Sequence, residues 1–342
     1  MGSGGPGQTR LVLVGGHESA DGADVRFVAD ALPGVTVSPP GRTLHNAVSA
    51  LLATGDGPVA VLPMTFGRNP TMVADTAKTL KWLSVGAGTG RVVLCDDFGT
   101  IDHLVAWLRR AATETAERRP GAALVITATS SNPFDDAELH RVAHLVRTHG
   151  AGLPVEVACV EEDAEVAEAV RRARLLGSTE AVVVPAGFAR TSTAPWGIGE
   201  LARATFYGPL MSEQAILQVV RQRLAAAEHS LSHGHDGIET GLLADHGHGY
   251  AHSHAFEESG EHGAAGHQHP HPHPHPHPRP SAPPHPSPHG GGAHTHDTHD
   301  THDIHDIHDI HDTVDAARRD ADELEPPAAR GVSHDEVLAR RH

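Results

Sequence analysis

Two groups of residues in this 342-residue chain have types and spacing suited to chemistry. The first is dispersed over turns that close short apolar runs. Leu11–Val14 ends at Gly15-Gly16 and is followed by His17, Glu18 and Ser19. Two glycines allow a tight turn, and a histidine above a strand end can ligate a metal ion or accept a proton from a ring nitrogen. A plainer role for His17 is a turn histidine capping the next helix. Val59–Pro63 leads into Met64-Thr65-Phe66-Gly67-Arg68-Asn69, where Arg68 could pair with an anion. Thr127–Asn132 and Gly187–Thr193, with Arg190, follow two later runs. Arginines of this kind more often serve as solvated surface.

The second group is concentrated. Of 31 histidines, six precede Glu228 and 25 follow it. His and Pro alternate from His269 to Pro278; then His296, His299, His302, His305, His308 and His311 are each followed by aspartate. Imidazole nitrogen and carboxylate oxygen suit divalent first-row metals, and Irving–Williams order favours Cu, Ni, Zn and Co over Fe and Mn. Ordering a flexible segment opposes binding, so several weak, exchangeable sites are expected. The alternative is a solvated spacer. A three-residue period does not match the helical turn of about 3.6 residues, and prolines remove backbone donors. The segment is therefore expected to be disordered, with at most a short helix near 313–323.

Elements that could position the first group recur in a regular order. Leu11–Val14, Val35–Val37, Val59–Pro63 and Arg91–Cys95 read as strands; Thr43–Ala53, Pro70–Leu83 and Thr100–Ala112 read as helices. After Pro120 the order begins again, with strands at Ala122–Ile126, Val155–Val160 and Ala181–Pro185. Helices are expected at Phe134–Thr148, Ala164–Leu176 and Glu213–Ala227. The alternation predicts an α/β protein with parallel sheets flanked by helices. VAVLP (Val59–Pro63) parallels AVVVP (Ala181–Pro185), and each precedes a Gly-containing loop with an arginine, which points to duplication. Two similar lobes and two halves of one large sheet both satisfy this spacing. The expected divisions are a disordered 1–10, lobe one at 11–116, lobe two at 117–228 and a His/Pro/Asp-rich tail at 229–342.

Composition removes several classes. Residues 1–228 carry 20 Lys/Arg and 24 Asp/Glu, whereas 229–342 carry 6 and 19. An acidic chain without a basic patch is a poor nucleic-acid binder. No run of about 18 apolar residues exists to span a membrane, and Met1–Arg10 lacks a secretory pattern, so a cytoplasmic location is expected. Cys95 and Cys159 form no CxxC motif. Phosphate-binding loops and a GxSxG elbow are absent. His45, His103, His140, His144 and His149 fall on helices without an HExxH frame and read as surface.

The strand ending in GGHES, the Pro-ended strand leading to a Gly-Arg loop and the repeated lobes resemble the CbiX, or sirohydrochlorin cobaltochelatase-like, class of tetrapyrrole chelatases (class II). The matching pieces are LVLVGGHES (Leu11–Ser19), VAVLPMTFGRN (Val59–Asn69), VITATSSNP (Val125–Pro133), VVVPAGF and the segment Tyr207–Leu224. This resemblance implies two α/β lobes facing across a cleft. It also implies nucleotide-independent insertion of Co²⁺, or of Ni²⁺ or Fe²⁺, into a sirohydrochlorin-type macrocycle for cobalamin or siroheme synthesis. By resemblance, His17 is the first active-site histidine, assisted by Glu18, with Ser19, Arg68, Asn69 and Arg190 holding substrate. Asn69 stands where the family often has a second histidine, and Ala128 occupies a corresponding position in lobe two. No tightly bound cofactor is implied; the metal is a substrate. The implied partners are the macrocycle, metal ions and either a metal transporter or another tetrapyrrole-pathway enzyme. The competing functions are metal storage or delivery by the tail without catalysis, and macrocycle binding without chemistry.

Overall fold

The computed structural model describes residues 7–192, 194 and 196–245. Strand β1 (Arg10–Gly15) is followed by a 3-10 segment (His17–Val25) and α1 (Arg26–Ala31). Next come β2 (Val35–Ser38), α2 (Arg42–Thr54), β3 (Val59–Met64), α3 (Pro70–Ser84), β4 (Val92–Leu94) and α4 (Ile101–Arg118). The second half runs β5 (Ala122–Thr129), α5 (Pro133–His149), β6 (Val155–Val160), α6 (Asp163–Leu175), β7 (Glu180–Pro185) and β8 (Ala204–Phe206). It ends with α7 (Glu213–Ser232) and α8 (Ile238–Leu242).

Among the described residues, all strand pairs are parallel and form two four-stranded sheets, ordered β2-β1-β3-β4 and β6-β5-β7-β8. The identical order decides for two lobes over a single large sheet. Because side chains alternate along a strand, each sheet has two buried faces. Leu11 and Leu13 of β1 enter one core, while Val12 and Val14 pack beneath α2 and α3 in another. Val125 and Val183 of the second sheet pack with Val170 of α6 in a third.

The inner core is common to both lobes. Leu13 and Leu62 of the first sheet share it with Leu104 and Leu108 of α4, Ile126 of β5 and Ile216 of α7. Helix exchange produces this continuity. Helix α4 follows the first sheet but packs on α5, β5 and β7; α7 follows the second sheet but packs on α1, β3 and β4. Separating the lobes would expose both helices' apolar faces to water, so the lobes form one thermodynamic unit.

The described fold continues beyond Glu228, the expected end of lobe two. Helix α7 extends to Ser232, and α8 packs on α3. Asp236 O accepts from Leu94 N at 2.8 Å, and Ile238 is buried. A Cβ at Gly241 would meet the Leu94 side chain, so α8 lies close against β4 at this glycine. Short β8 and α1, which sequence periodicity did not indicate, are also present. The expected helix near 313–323, the tail's expected disorder and His296, His299, His302, His305, His308 and His311 lie outside the described residues.

Candidate functional site

The bend after β1 is built from small residues. A Cβ on Gly15 would overlap the backbone of Gly22, and one on Gly16 would meet the Asn69 amide and Met72 Sδ. Ser19 N and Asp21 N both donate to Gly16 O at 3.0 Å. Ala20 and Asp21 then adopt φ of 48° and 53°, followed by Gly22 at 90°. Left-handed backbone costs an L-residue roughly 1–2 kcal/mol, an amount carried here by the surrounding packing. The reversal places His17 and Glu18 at the apex and returns Val25 to the core.

Glu18 braces this apex. Its carboxylate accepts from the Thr65 hydroxyl and from Phe66 N at 3.1 Å, while its backbone carbonyl accepts from Phe188 N at 3.0 Å. Glu18 is 5% exposed, and this one residue ties the first bend to the turns after β3 and β7. Ser19 is fully buried and its hydroxyl donates to Gly16 O at 3.3 Å, supporting the bend.

His17 reaches across the lobe boundary. Its Nδ1 lies 3.7 Å from Asp135 Oδ2, with side-chain exposures of 12% and 2%, respectively. Asp135 belongs to the first turn of α5, where Asn132 accepts from Phe134 N and Asp135 N and donates to Asp135 Oδ2 at 2.8 Å. Pro133 at the first helical position and this capping asparagine explain why the helix starts there. His17 Nε2 is buried without a hydrogen-bond partner. Burial holds the imidazole below its ordinary pKa, aided by Arg68 and opposed by Glu18, Asp135 and Asp136. The neutral ring is therefore favoured at pH 7.

Arg68 is buried, which sets aside the solvated-surface alternative for this turn. One terminal nitrogen donates to Ala186 O at 3.3 Å, while Nε and the other terminal nitrogen have no partner. A guanidinium in this setting strongly favours an incoming anion, since burial of an uncompensated charge is costly. Asn69 lies at the same bend, where its side-chain oxygen caps α3 by accepting from Met72 N at 3.2 Å. Arg190 has a separate neighbourhood: it pairs with Glu213 at 2.9 Å and lies 4.8 Å above the Phe27 ring.

The structure thus brings His17, Glu18, Arg68 and Asn69 to one bend and adds Asp135, Asp136 and Asp97. Asp97 is half-buried after β4, and burial, then Glu18 and Asp96, push its carboxyl up to about 7. Asn132-Pro133 with two aspartates behind it reads in sequence as a helix start, which hides Asp135's contact with His17. No local pattern distinguishes Asp97 from an exposed loop acid.

The lobes touch at this end instead of standing apart across an open cleft. Phe66 and Phe188, at matching places after β3 and β7, stack with centroids 5.2 Å apart, and Phe98 meets both edge-on. A small void of about 10 Å³ lies beside Phe66 and Phe98. A larger groove of about 730 Å³ lies between α5, β6 and α6, lined by His140, His144 and Glu168. Among the described residues, no group of three or more His, Cys, Asp or Glu side chains is arranged to hold an ion, and no helix is long and apolar enough to cross a membrane.

No protein-family model matches the sequence, and no curated protein matches it. Among solved structures, the chain is similar to a multi-domain Deinococcus radiodurans protein described as structurally similar to chelatases, with two additional novel domains. That match has 18% identity and a TM-score of 0.43, covering 64% of this chain and 55% of the other. The chain therefore spans about half the length of that protein. Sirohydrochlorin chelatase SirB from Bacillus subtilis subspecies spizizenii, solved with cobalt, is 12% identical with a TM-score of 0.38, covering 65% and 95%. An ABC domain from Streptococcus pneumonia in complex with L-Trp is 14% identical with a TM-score of 0.32, covering 66% and 85%. Similarity at this level assigns neither activity nor ligand.

Proposed function

We propose that this protein inserts a divalent metal ion, Co²⁺ foremost and Ni²⁺ or Fe²⁺ as alternatives, into a sirohydrochlorin-type tetrapyrrole without a nucleotide. The supporting observation is the pairing of opposite receptors at one bend. His17 offers an unpartnered imidazole nitrogen to a cation, and Arg68 offers buried, unpartnered donors to an anion. A metal ion and a carboxylate-bearing macrocycle are substrates of those two signs.

In this reading, the Asp135 carboxylate favours the proton on Nδ1 and leaves the Nε2 lone pair for the incoming ion. A single imidazole, with a carboxylate near it, leaves most coordination positions to water and then to pyrrole nitrogens. The ion can consequently be passed on. As it enters the ring, two pyrrole protons leave; the vacated Nε2 accepts one, with Glu18 assisting the second transfer. Arg68 holds a macrocycle carboxylate. Entry requires the turns after β3 and β7 to part, breaking the Phe188 N–Glu18 O and Arg68–Ala186 O bonds while exchanged helices keep the lobes joined.

His296, His299, His302, His305, His308 and His311 would gather ions for delivery, making the tail important when metal is scarce. A metal transporter or another tetrapyrrole-pathway enzyme would then be the partner supplying ion or macrocycle. The low exposure of His17 and the 25 later histidines also favour a second reading: metal storage or delivery without catalysis. An absorbance assay separates the two. Full-length protein is mixed with sirohydrochlorin and Co²⁺, Ni²⁺ or Fe²⁺ in turn. The chelatase reading expects metallation above the uncatalysed rate and its loss in His17→Ala; stoichiometric metal binding without turnover supports storage.

A further inference from the structure

The C-terminal end of α7 presents a second pair of imidazoles, remote in sequence from the first bend. His229, in the last turn of this 20-residue helix, and His233, its C-cap residue, are four positions apart, both exposed, with ring centroids 4.6 Å apart in an edge-to-face contact. Residues at this spacing lie one above the other, so two imidazoles can share an ion after a small side-chain rotation. The same spacing of paired histidines on one helix face underlies helical zinc sites. The helix end adds favourable electrostatics, because its terminal carbonyls present partial negative charge to a cation.

We propose that His229 and His233 form a two-imidazole clamp for a divalent first-row cation, separate from the His17 site. Among the described residues, no third His, Cys, Asp or Glu completes a three-ligand group, so water fills the remaining positions and the ion exchanges readily. The clamp also bears on the fold. His235 N donates to Ser230 O, curling the chain around the helix end, and the following Asp236 O accepts from Leu94 N at the edge of β4. An ion bridging one turn fixes the helix terminus from which this closing segment departs. Metal occupancy is thereby coupled to stability of the folded core.

Linkage supplies the test. A site formed only by the folded helix raises the melting temperature when occupied, whereas ligands that bind folded and unfolded chains equally do not. Full-length protein is melted with and without Ni²⁺, with unfolding followed through the folded core's circular dichroism. The clamp predicts a Ni²⁺-dependent rise of several degrees in the parent and in His17→Ala, lost in both His229→Ala and His233→Ala. Comparing each variant with itself removes any change in its metal-free stability, and all carry the same residues 246–342. A missing rise in the parent overturns the proposal, as does a rise preserved in His233→Ala. Loss of the rise in His17→Ala would assign it to the first bend and also overturn the clamp.

Discussion

The imidazole Nδ1 of His17 stands 3.7 Å from the Asp135 carboxylate, so the first bend of one lobe is oriented by the first helical turn of the other. This contact is longer than a hydrogen bond and acts through charge. It distinguishes the two ring nitrogens: Nδ1 faces the carboxylate, and Nε2 is buried without a partner, the position that would receive the ion in the proposed reaction. Asp135→Asn preserves shape and removes the charge. Sirohydrochlorin metallation should fall roughly tenfold, corresponding to about 1.4 kcal/mol of transition-state stabilisation, while His17→Ala should abolish it. Parallel circular-dichroism melts establish that both variants remain folded. Unchanged turnover in Asp135→Asn would remove that residue from the mechanism.

Gly187 has no room for a side chain. An added Cβ would sit 2.6 Å from Glu18 O, beside the bond from Phe188 N. Gly187→Ala should therefore lower stability by about 1–3 kcal/mol through forced separation of two backbones. A denaturant titration checks this; an unchanged midpoint would mean that the turns move apart at little cost.

Asp97 sets a pH dependence. Its carboxyl ionises near 3.8 when unperturbed and near 7 in the fold. Between those values the folded chain retains a proton that the unfolded chain has lost, so stability from this group decreases as pH rises through the window. Asp97→Asn should stabilise the protein at pH 8, by roughly 1–2 kcal/mol after allowing for solvent screening, and have little effect near pH 4. Melting curves at the two pH values provide the comparison. Equal shifts at both would contradict the proposed burial effect.

The C-terminal boundary can be tested by truncation. Ending the chain after Asp245 retains α8, the Asp236 O–Leu94 N bond and buried Ile238; ending it after Glu228 removes all three. The longer truncation product should melt with the full-length protein, whereas the shorter should lose about 2–5 kcal/mol, mainly through loss of Ile238. Coincident melting of both products would show that α8 contributes nothing to the fold.

Local patterns suffice for much of this architecture. Strand and helix periodicities place β1, β3, α3, α5, β6 and β7 within a residue or so of their observed limits, because buried parallel strands are continuously apolar and Asn-Pro starts a helix. The VAVLP and AVVVP repeat likewise makes duplication legible, and GGHES marks the bend that carries His17. Tertiary structure alone decides which lobe each closing helix serves, since the apolar stripes of α4 and α7 suit either sheet. It also brings Asp135 to His17, buries Arg68 against Ala186 and continues the fold past Glu228. Local chemistry in the sequence marks the candidate groups; the His17–Asp135 and Arg68–Ala186 contacts join residues more than a hundred positions apart, which no short-range pattern encodes.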